Sequence, residues 1–280
     1  MRLINSHFGG RLLLDSREAT AAYSLRQLRT EYAGPSVRVR RSSDNTEQDF
    51  GFASGSLDTD LLLAFCGSGD GFVRTLYDQT VNGNHQQQPS EIRQPRIVAG
   101  GSLVTSGGMV AWSDLGARGF ADGLSIAEAE DYSFFAVQQL QDSNSNFAPR
   151  WLDIRSIGQG YVARTSSTNT IYAQTVGDLS NLSADFPGMF SQNQATVCGS
   201  GGSSGSNAGD FHFRANGSTL DANFQSRSAS TICLGGLISP GSYNALASVG
   251  YRQEMIFFSA DMTSSESSIE TNQMNYWGVS

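Results

Sequence analysis

Residues 71–85 read Gly-Phe-Val-Arg-Thr-Leu-Tyr-Asp-Gln-Thr-Val-Asn-Gly-Asn-His, and no other stretch restricts the fold so firmly. Phe72, Arg74 and Leu76 alternate with Val73, Thr75 and Tyr77, the pattern of a strand covered on both faces. The run ends in Asn82-Gly83, the dipeptide suited to the positive φ angles of a tight type I′ turn. Asp78 and Asn84 are expected to hydrogen-bond the backbone of that turn. A strand feeding a fixed polar turn needs a sheet around it.

The rest of the chain supplies one. Its 280 residues include 31 Gly and only 6 Pro, which favours many short strands joined by turns over a helical bundle. Strand patterns cover Ser36–Arg41, Ile97-Val98 and Met109–Trp112, and from residue 131 onward they follow one another: Tyr132–Gln138, Arg150–Ile154, Tyr161–Arg164, Thr170–Gln174, Ala195–Cys198, Asp210–Arg214, Ser230–Leu234 and Glu254–Ser259. In Ser36–Arg41 the valines point inward and Arg38 and Arg40 outward. The Gly/Ser-rich residues 199–209 lie between two strand patterns and read as a hairpin loop.

Helices are expected near both ends. Asp15-Ser16-Arg17-Glu18 has the form of a capping box, with Ala22, Leu25, Leu28 and Tyr32 at helical spacing after it. Asp58 opens a short helix through Phe65. Thr263-Ser264-Ser265-Glu266 opens another that ends in Tyr276-Trp277. The chain is therefore read as mainly β, a single domain over 1–280, with residues 1–20 as a docking arm.

All 18 basic residues are arginine, so lysine Schiff-base chemistry is excluded. The net charge of −8 argues against nucleic acid as partner. No apolar run is long enough for membrane insertion, and the first residues lack the apolar core of a signal peptide. Arginines cluster in residues 1–41, which makes Arg2, Arg11 and Arg17 candidates for a docking surface. Cys66, Cys198 and Cys233 fall at no metal-ligand spacing; reduced thiols are expected, with a Cys198–Cys233 bridge left open. His212, between Phe211 and Phe213, is expected on an exposed face without a partner. Glu128, Glu130 and Asp131 could supply oxygens to calcium, but a solvated turn accounts for them and no cofactor is expected.

Several motifs then carry a resemblance. Ala22-Tyr23-Ser24-Leu25-Arg26, Val37-Arg38-Val39-Arg40-Arg41, Phe65-Cys66-Gly67 and Tyr77-Asp78-Gln79 with Asn82-Gly83-Asn84 resemble the start of the α-L-arabinofuranosidase B catalytic domain. Together with Gln253–Phe258 and Ile269–Trp277, they also resemble a group of phage virion proteins on the same template. The resemblance implies a concanavalin A-like β-sandwich, or jelly roll. In the arabinofuranosidases it implies a nucleophilic Glu on a central strand and an acid/base Asp after Gly-Gly. This chain has no Glu between Glu130 and Glu254, and Gly235-Gly236 precedes Leu237.

From those absences the chain is expected not to be an enzyme. The resemblance implies a phage or phage-like particle protein (head spike, tail fibre or decoration), assembled in the host cytoplasm as a homo-oligomer. Its partners would be other virion proteins and host surface polysaccharide. Two alternatives stand beside it: a glycoside hydrolase with relocated carboxylates, and a structural adaptor with a vestigial lectin fold. Trp151, Tyr161, Arg164, Tyr172 and Tyr243 are the candidate sugar contacts, being aromatic or planar polar groups on strands or loop tips.

Overall fold

The computed structural model describes residues 11–115, 118–120, 124–129, 131–140, 150–155, 160–164, 170–175, 178–185, 190–200, 211–224, 229–234 and 250–280. They form a β-sandwich of antiparallel strands with two short helices, as the sequence implies. The longest path through the large sheet runs Ser218–Phe224, Phe211–Ala215, Asn193–Ser200, Asp131–Leu140, Gly250–Phe258, Trp112–Ser113, Arg96–Ala99, Gly71–Leu76, Val37–Arg41, Glu47–Phe50. A second sheet runs Leu124–Ala129, Ala229–Leu234, Arg150–Arg155, Gly160–Arg164, Thr170–Thr175, Asp178–Asp185. Asn193–Ser200 pairs directly with Phe211–Ala215, so the Gly/Ser-rich segment does join the arms of a hairpin, although 201–210 lie outside the described residues.

Gly250–Phe258 is the middle of the large sheet. It pairs with Asp131–Leu140, with Trp112–Ser113 and with Ala21–Ser24. Both of its faces are covered. Met255 and Phe257 enter one apolar cluster with Phe134, Val197 and Trp277, and Ile256 and Phe258 enter a second with Leu14, Phe135 and Ile269. Gly250 is required where the strand starts, because a Cβ there would sit 2.2 Å from the Gln139 carbonyl oxygen.

The N-terminal helix expected after Asp15 does not form. Residues 13–16 make a turn and Ala21–Ser24 is a strand with all four residues buried. The Asp15 carboxylate accepts from Leu12 N at 2.7 Å and Thr30 N at 2.7 Å, closing a loop instead of capping a helix. Tertiary pairing with the central strand overrides the local spacing. The other two helices form: α1 (Thr59–Cys66), capped by Asp58 through Leu61 N at 3.0 Å, and α2 (Glu266–Trp277).

The strand Gly71–Leu76 and the polar segment after it do what the sequence implies, with one change. Only Gly83 has positive φ (69°) there, so the turn is not type I′. Side chains replace the tight turn. Asp78, fully buried, accepts from Ala22 N, Thr80 N and Asn84 N, each at 2.9 Å. Gln79 accepts from Leu28 N at 2.8 Å and donates to Ser24 O and Arg26 O. Asn82 and Asn84 donate to Thr20 O. The segment laces the N-terminal strand to the sheet by satisfying its backbone.

One expected wet residue is dry. Arg40 is buried against the Phe72 ring, 4.9 Å from its centroid, and donates to Gln94 at 2.8 Å and Asn45 at 2.5 Å. Its neighbour Arg38 remains half-exposed and pairs with Asp49.

A single carboxylate ties the two ends of the chain together. Glu254 is fully buried in the central strand and accepts from Arg26 Nε at 2.6 Å and Nη2 at 2.9 Å, Ser24 Oγ at 3.0 Å, Gln273 Nε2 at 3.1 Å and Trp277 Nε1 at 2.9 Å. Burial alone would raise its pKa; the Arg26 guanidinium and the neutral donors outweigh burial and hold it below the usual carboxylate range. Arg26→Met strips the charge partner from a fully desolvated carboxylate, and urea unfolding should show a loss of about 3–5 kcal/mol.

Candidate functional site

Three groupings could carry chemistry. The first is a cleft of about 400 Å³ on the large sheet, lined by Arg96, Val104, Ser113, Leu115, Arg118 and Tyr251. That volume falls within the range of small-molecule sites. Arg40, Arg96 and Arg118 all stack on the Phe72 ring, at 4.9, 5.6 and 4.9 Å from its centroid. Burial, then the neighbouring Arg96 charge, lowers the Arg118 pKa. Asp70 lies 3.5 Å from Arg96. Crowded guanidiniums of this kind offer planar donors to hydroxyl or carboxylate oxygens.

Beneath the cleft, between Ser113 and Leu115, lies Asp114. Its Oδ2 accepts from Arg252 Nε at 2.9 Å, while its Oδ1 is buried without a hydrogen-bond partner. Burial pushes the carboxyl up to about 6 even though Arg252 pulls it down. It is a buried carboxyl that exchanges its proton near neutrality.

The second grouping is a face of the smaller sheet. Cross-strand pairing sets Cys233 opposite Asp153, Asp153 opposite Tyr161, and Tyr161 opposite Gln174, a row across four strands. Tyr172, two positions from Gln174, falls on the same face. Leu152, Ile154, Val162 and Ile171 take the alternate register positions. Neighbouring strands are about 4.8 Å apart, which sets the Asp153 position within one strand of Tyr161.

This register sorts the sequence candidates. Tyr161 and Tyr172 share the register face of Asp153. Arg164 pairs with Ile171 and falls on the other. Trp151 lies at a register shift between Arg150 and Leu152, where the ladder gives it no partner. Tyr243 and Arg2 lie outside the described residues. Arg11 is exposed and donates to Asp15 O at 3.3 Å. Arg17 donates to Leu13 O and to Ser268 Oγ, both at 2.9 Å, so it fastens the N-terminal segment to α2. With no motif joining them, Asp153, Asp178, Asp185, Asp210 and Asp221 read in the sequence as turn and strand-end residues more than as a carboxylate pair; strand pairing is what singles out Asp153.

The third grouping corrects an expectation. His212 is half-buried rather than exposed, and its Nε2 lies 2.5 Å from Glu266 Oε2 on α2. The helix covers this face, and a partner 54 residues away leaves no local signal. Cys198 is a free thiol, so the Cys198–Cys233 bridge does not form. Burial pushes Cys198 up to about 11, which removes it as a nucleophile at neutral pH. Glu128 lies on a strand that pairs with Ala229–Leu234, and Glu130 lies outside the described residues.

Comparison with known proteins sharpens the functional reading. The family model described as the catalytic domain of α-L-arabinofuranosidase B matches residues 16–139. No curated protein sequence matches the chain. Among solved structures, a point mutant of a glycoside-hydrolase family 54 α-L-arabinofuranosidase soaked with 4-nitrophenyl α-L-arabinofuranoside is similar over 91% of this chain, with TM-score 0.65 and 16% identity. An arabinofuranosidase complexed with arabinofuranosyl-α-1,2-xylobiose gives TM-score 0.60 at 16% identity over the same share. The Trypanosoma rangeli sialidase in complex with sialic acid gives TM-score 0.51 at 10% identity, covering 74% of this chain and 32% of its own. This chain spans 62% of the length of the arabinofuranosidase chains.

These identities establish a shared fold. The family match is to a catalytic domain, and it overturns the expectation of a non-enzyme that rested on missing Glu and Gly-Gly-Asp signatures. The family match ends at residue 139, before Gly235-Gly236 and before most of the stretch without Glu.

Asp114 gives this region a pH signature. The folded chain holds the Asp114 proton up to about pH 6, whereas an unfolded aspartate releases it near ~4. Unfolding free energy should therefore fall as pH rises through this window and level off above it. Asp114→Asn lacks the slope. Denaturant unfolding of both proteins from pH 4 to 7 should show the difference between them drifting against wild type by something on the order of 3 kcal/mol.

Proposed function

We propose that the chain is a glycoside hydrolase of arabinofuranosidase-like type, removing a furanosyl unit from a glycan. The observation that carries this reading is the match of residues 16–139 to a catalytic-domain model. The fold around that segment, shared with arabinofuranosidases over 91% of the chain, supports it.

Glycoside hydrolysis needs two carboxyls flanking the scissile bond, about 5–5.5 Å apart for retention and ~6.5–9.5 Å for inversion. With no Glu between residues 131 and 253, and Glu254 fully buried and bonded to Arg26 and Trp277, an aspartate is left to serve. Asp153 is the first to consider. Its strand, Arg150–Arg155, is paired on both sides, whereas Asp178 and Asp185 close the ends of the edge strand. Pairing on both sides fixes the backbone that carries the carboxylate, a rigid base for a nucleophile or general base. Tyr161 and Tyr172 on the same face would supply the stacking and hydroxyl contacts that orient a sugar ring. The Arg96–Arg118–Tyr251 cleft offers a second place for a saccharide, suited to hydroxyl and carboxylate oxygens.

The test is direct. The chain should release 4-nitrophenol from 4-nitrophenyl α-L-arabinofuranoside, and Asp153→Asn should lower kcat by roughly a hundredfold or more without changing the unfolding midpoint. A covalent label from an arabinofuranosyl cyclic sulfate, mapped by peptide mass, should fall on Asp153. Absence of turnover on aryl furanosides and on arabinan would sink the proposal, and full activity of Asp153→Asn would remove that residue from it.

A further inference from the structure

We propose that Cys198, His212, Glu266 and Asp261 form a binding site for a zinc-type divalent cation that pins α2 to the large sheet. The inference is independent of the glycosidase reading. Cys198 and His212 are direct cross-strand partners on adjacent strands. Glu266 opens α2, and Asp261 lies on the segment between the central strand and that helix. The Cys198 Sγ, the His212 nitrogen and a Glu266 oxygen all lie within 4.8 Å of one another.

The spacing suits a tetrahedral ion. Bonds of ~2.0–2.3 Å to zinc place its donors roughly 3.3–3.8 Å apart. Asp261 Oδ1 lies 3.7 Å from Cys198 Sγ but outside the 4.8 Å group of the other three donors, and as fourth ligand it would move inward from its bonds to Thr263. His212 and Glu266, now hydrogen-bonded at 2.5 Å, need to separate by only about 1 Å to admit the ion. The cation would take the place of the proton they share.

The donor set selects the metal class. A thiolate with an imidazole disfavours calcium and magnesium, which prefer all-oxygen shells, and favours zinc and its neighbours. Thiolate, Glu266 and Asp261 together carry one negative charge beyond a divalent ion. Arg214 lies 3.6 Å from Glu266 and also pairs with Glu270 at 3.0 Å, so the loaded cluster keeps one net negative charge. Ser133 Oγ, 2.9 Å from Cys198 Sγ and 2.9 Å from Ala260 O, is placed as an orienting partner of the sulfur. Phe135, Ile256 and Ile269 pack with Cys198 in the same apolar cluster and keep solvent from one side, while Asp261 and Thr263 are exposed and leave a route in from the other.

Zinc and cobalt titrations of the chelator-treated full chain test the site. Wild type should take up one equivalent of Zn²⁺ against a competing chromophoric chelator of micromolar affinity. Co²⁺ should give the near-ultraviolet charge-transfer band of a thiolate–cobalt bond, and bound Zn²⁺ should raise the melting temperature. His212→Gln and Glu266→Gln should each weaken binding at least about tenfold. Cys198→Ser should abolish the band, and Cys66→Ser should keep it. Because the wild-type spectrum needs no variant, misfolding of a substituted chain does not blunt the test. A wild type that holds no equivalent against the chelator, or a Co²⁺ spectrum without a thiolate band, would overturn the site and leave a His212–Glu266 hydrogen bond that fastens the helix.

Discussion

Glu254 is a charge with no water to solvate it, and the arrangement of the large sheet follows from how that charge is satisfied. A carboxylate in the middle of a central strand is costly unless every lone pair finds a donor. The donors here come from two distant places: Ser24 and Arg26 near the start, Gln273 and Trp277 in the terminal helix. None of these groups can be satisfied unless Ala21–Ser24 lies against Gly250–Phe258 and α2 folds back over the sheet. Apolar packing would accept several registers for such a strand; a five-fold set of directed contacts accepts one.

The polar segment at residues 77–84 works by the same principle on a smaller scale. Asp78 and Gln79 turn their side chains into substitutes for a missing sheet neighbour, taking up the amides of Ala22, Thr80, Asn84 and Leu28. This role was legible in the sequence, because short polar side chains beside Asn-Gly bond nearby backbone. Most strands were legible too, since alternation of apolar residues is written locally. What was not legible depends on partners remote in sequence. Ala22, Leu25 and Leu28 have helical spacing, yet pairing with a strand more than 220 residues later takes precedence. Arg40 has the alternation of a wet residue but meets Phe72, Gln94 and Asn45. His212 finds a helix that no nearby residue announces.

The candidate site divides in the same way. Tyr161 and Tyr172 were identifiable as aromatic strand residues, while their common face, and its separation from Arg164, emerge only from the register. Asp114 gives no sequence signal at all: an Asp after Trp-Ser becomes unusual only once Arg252 and the closed interior surround it. Catalytic signatures transferred from a family are weaker guides than the frame that carries them. This chain keeps the frame over 91% of its length at 16% identity, without the Glu and Gly-Gly-Asp positions that the resemblance implies.

The pairing of Ala21–Ser24 with Gly250–Phe258 also governs how this protein can be made. On the ribosome, the first strand emerges more than two hundred residues before its partner, and the buried charge cluster cannot close in the interval. Loop closure over such a span is slow, and mean contact separation sets folding rate in β-rich chains. The nascent N-terminal half therefore waits with unpaired strand edges and exposed apolar faces, the condition in which sheets pair with the wrong neighbour. Commitment to the native sheet comes late and all at once. Chaperone cover during synthesis, more than the stability of the finished fold, would then limit the yield of folded protein.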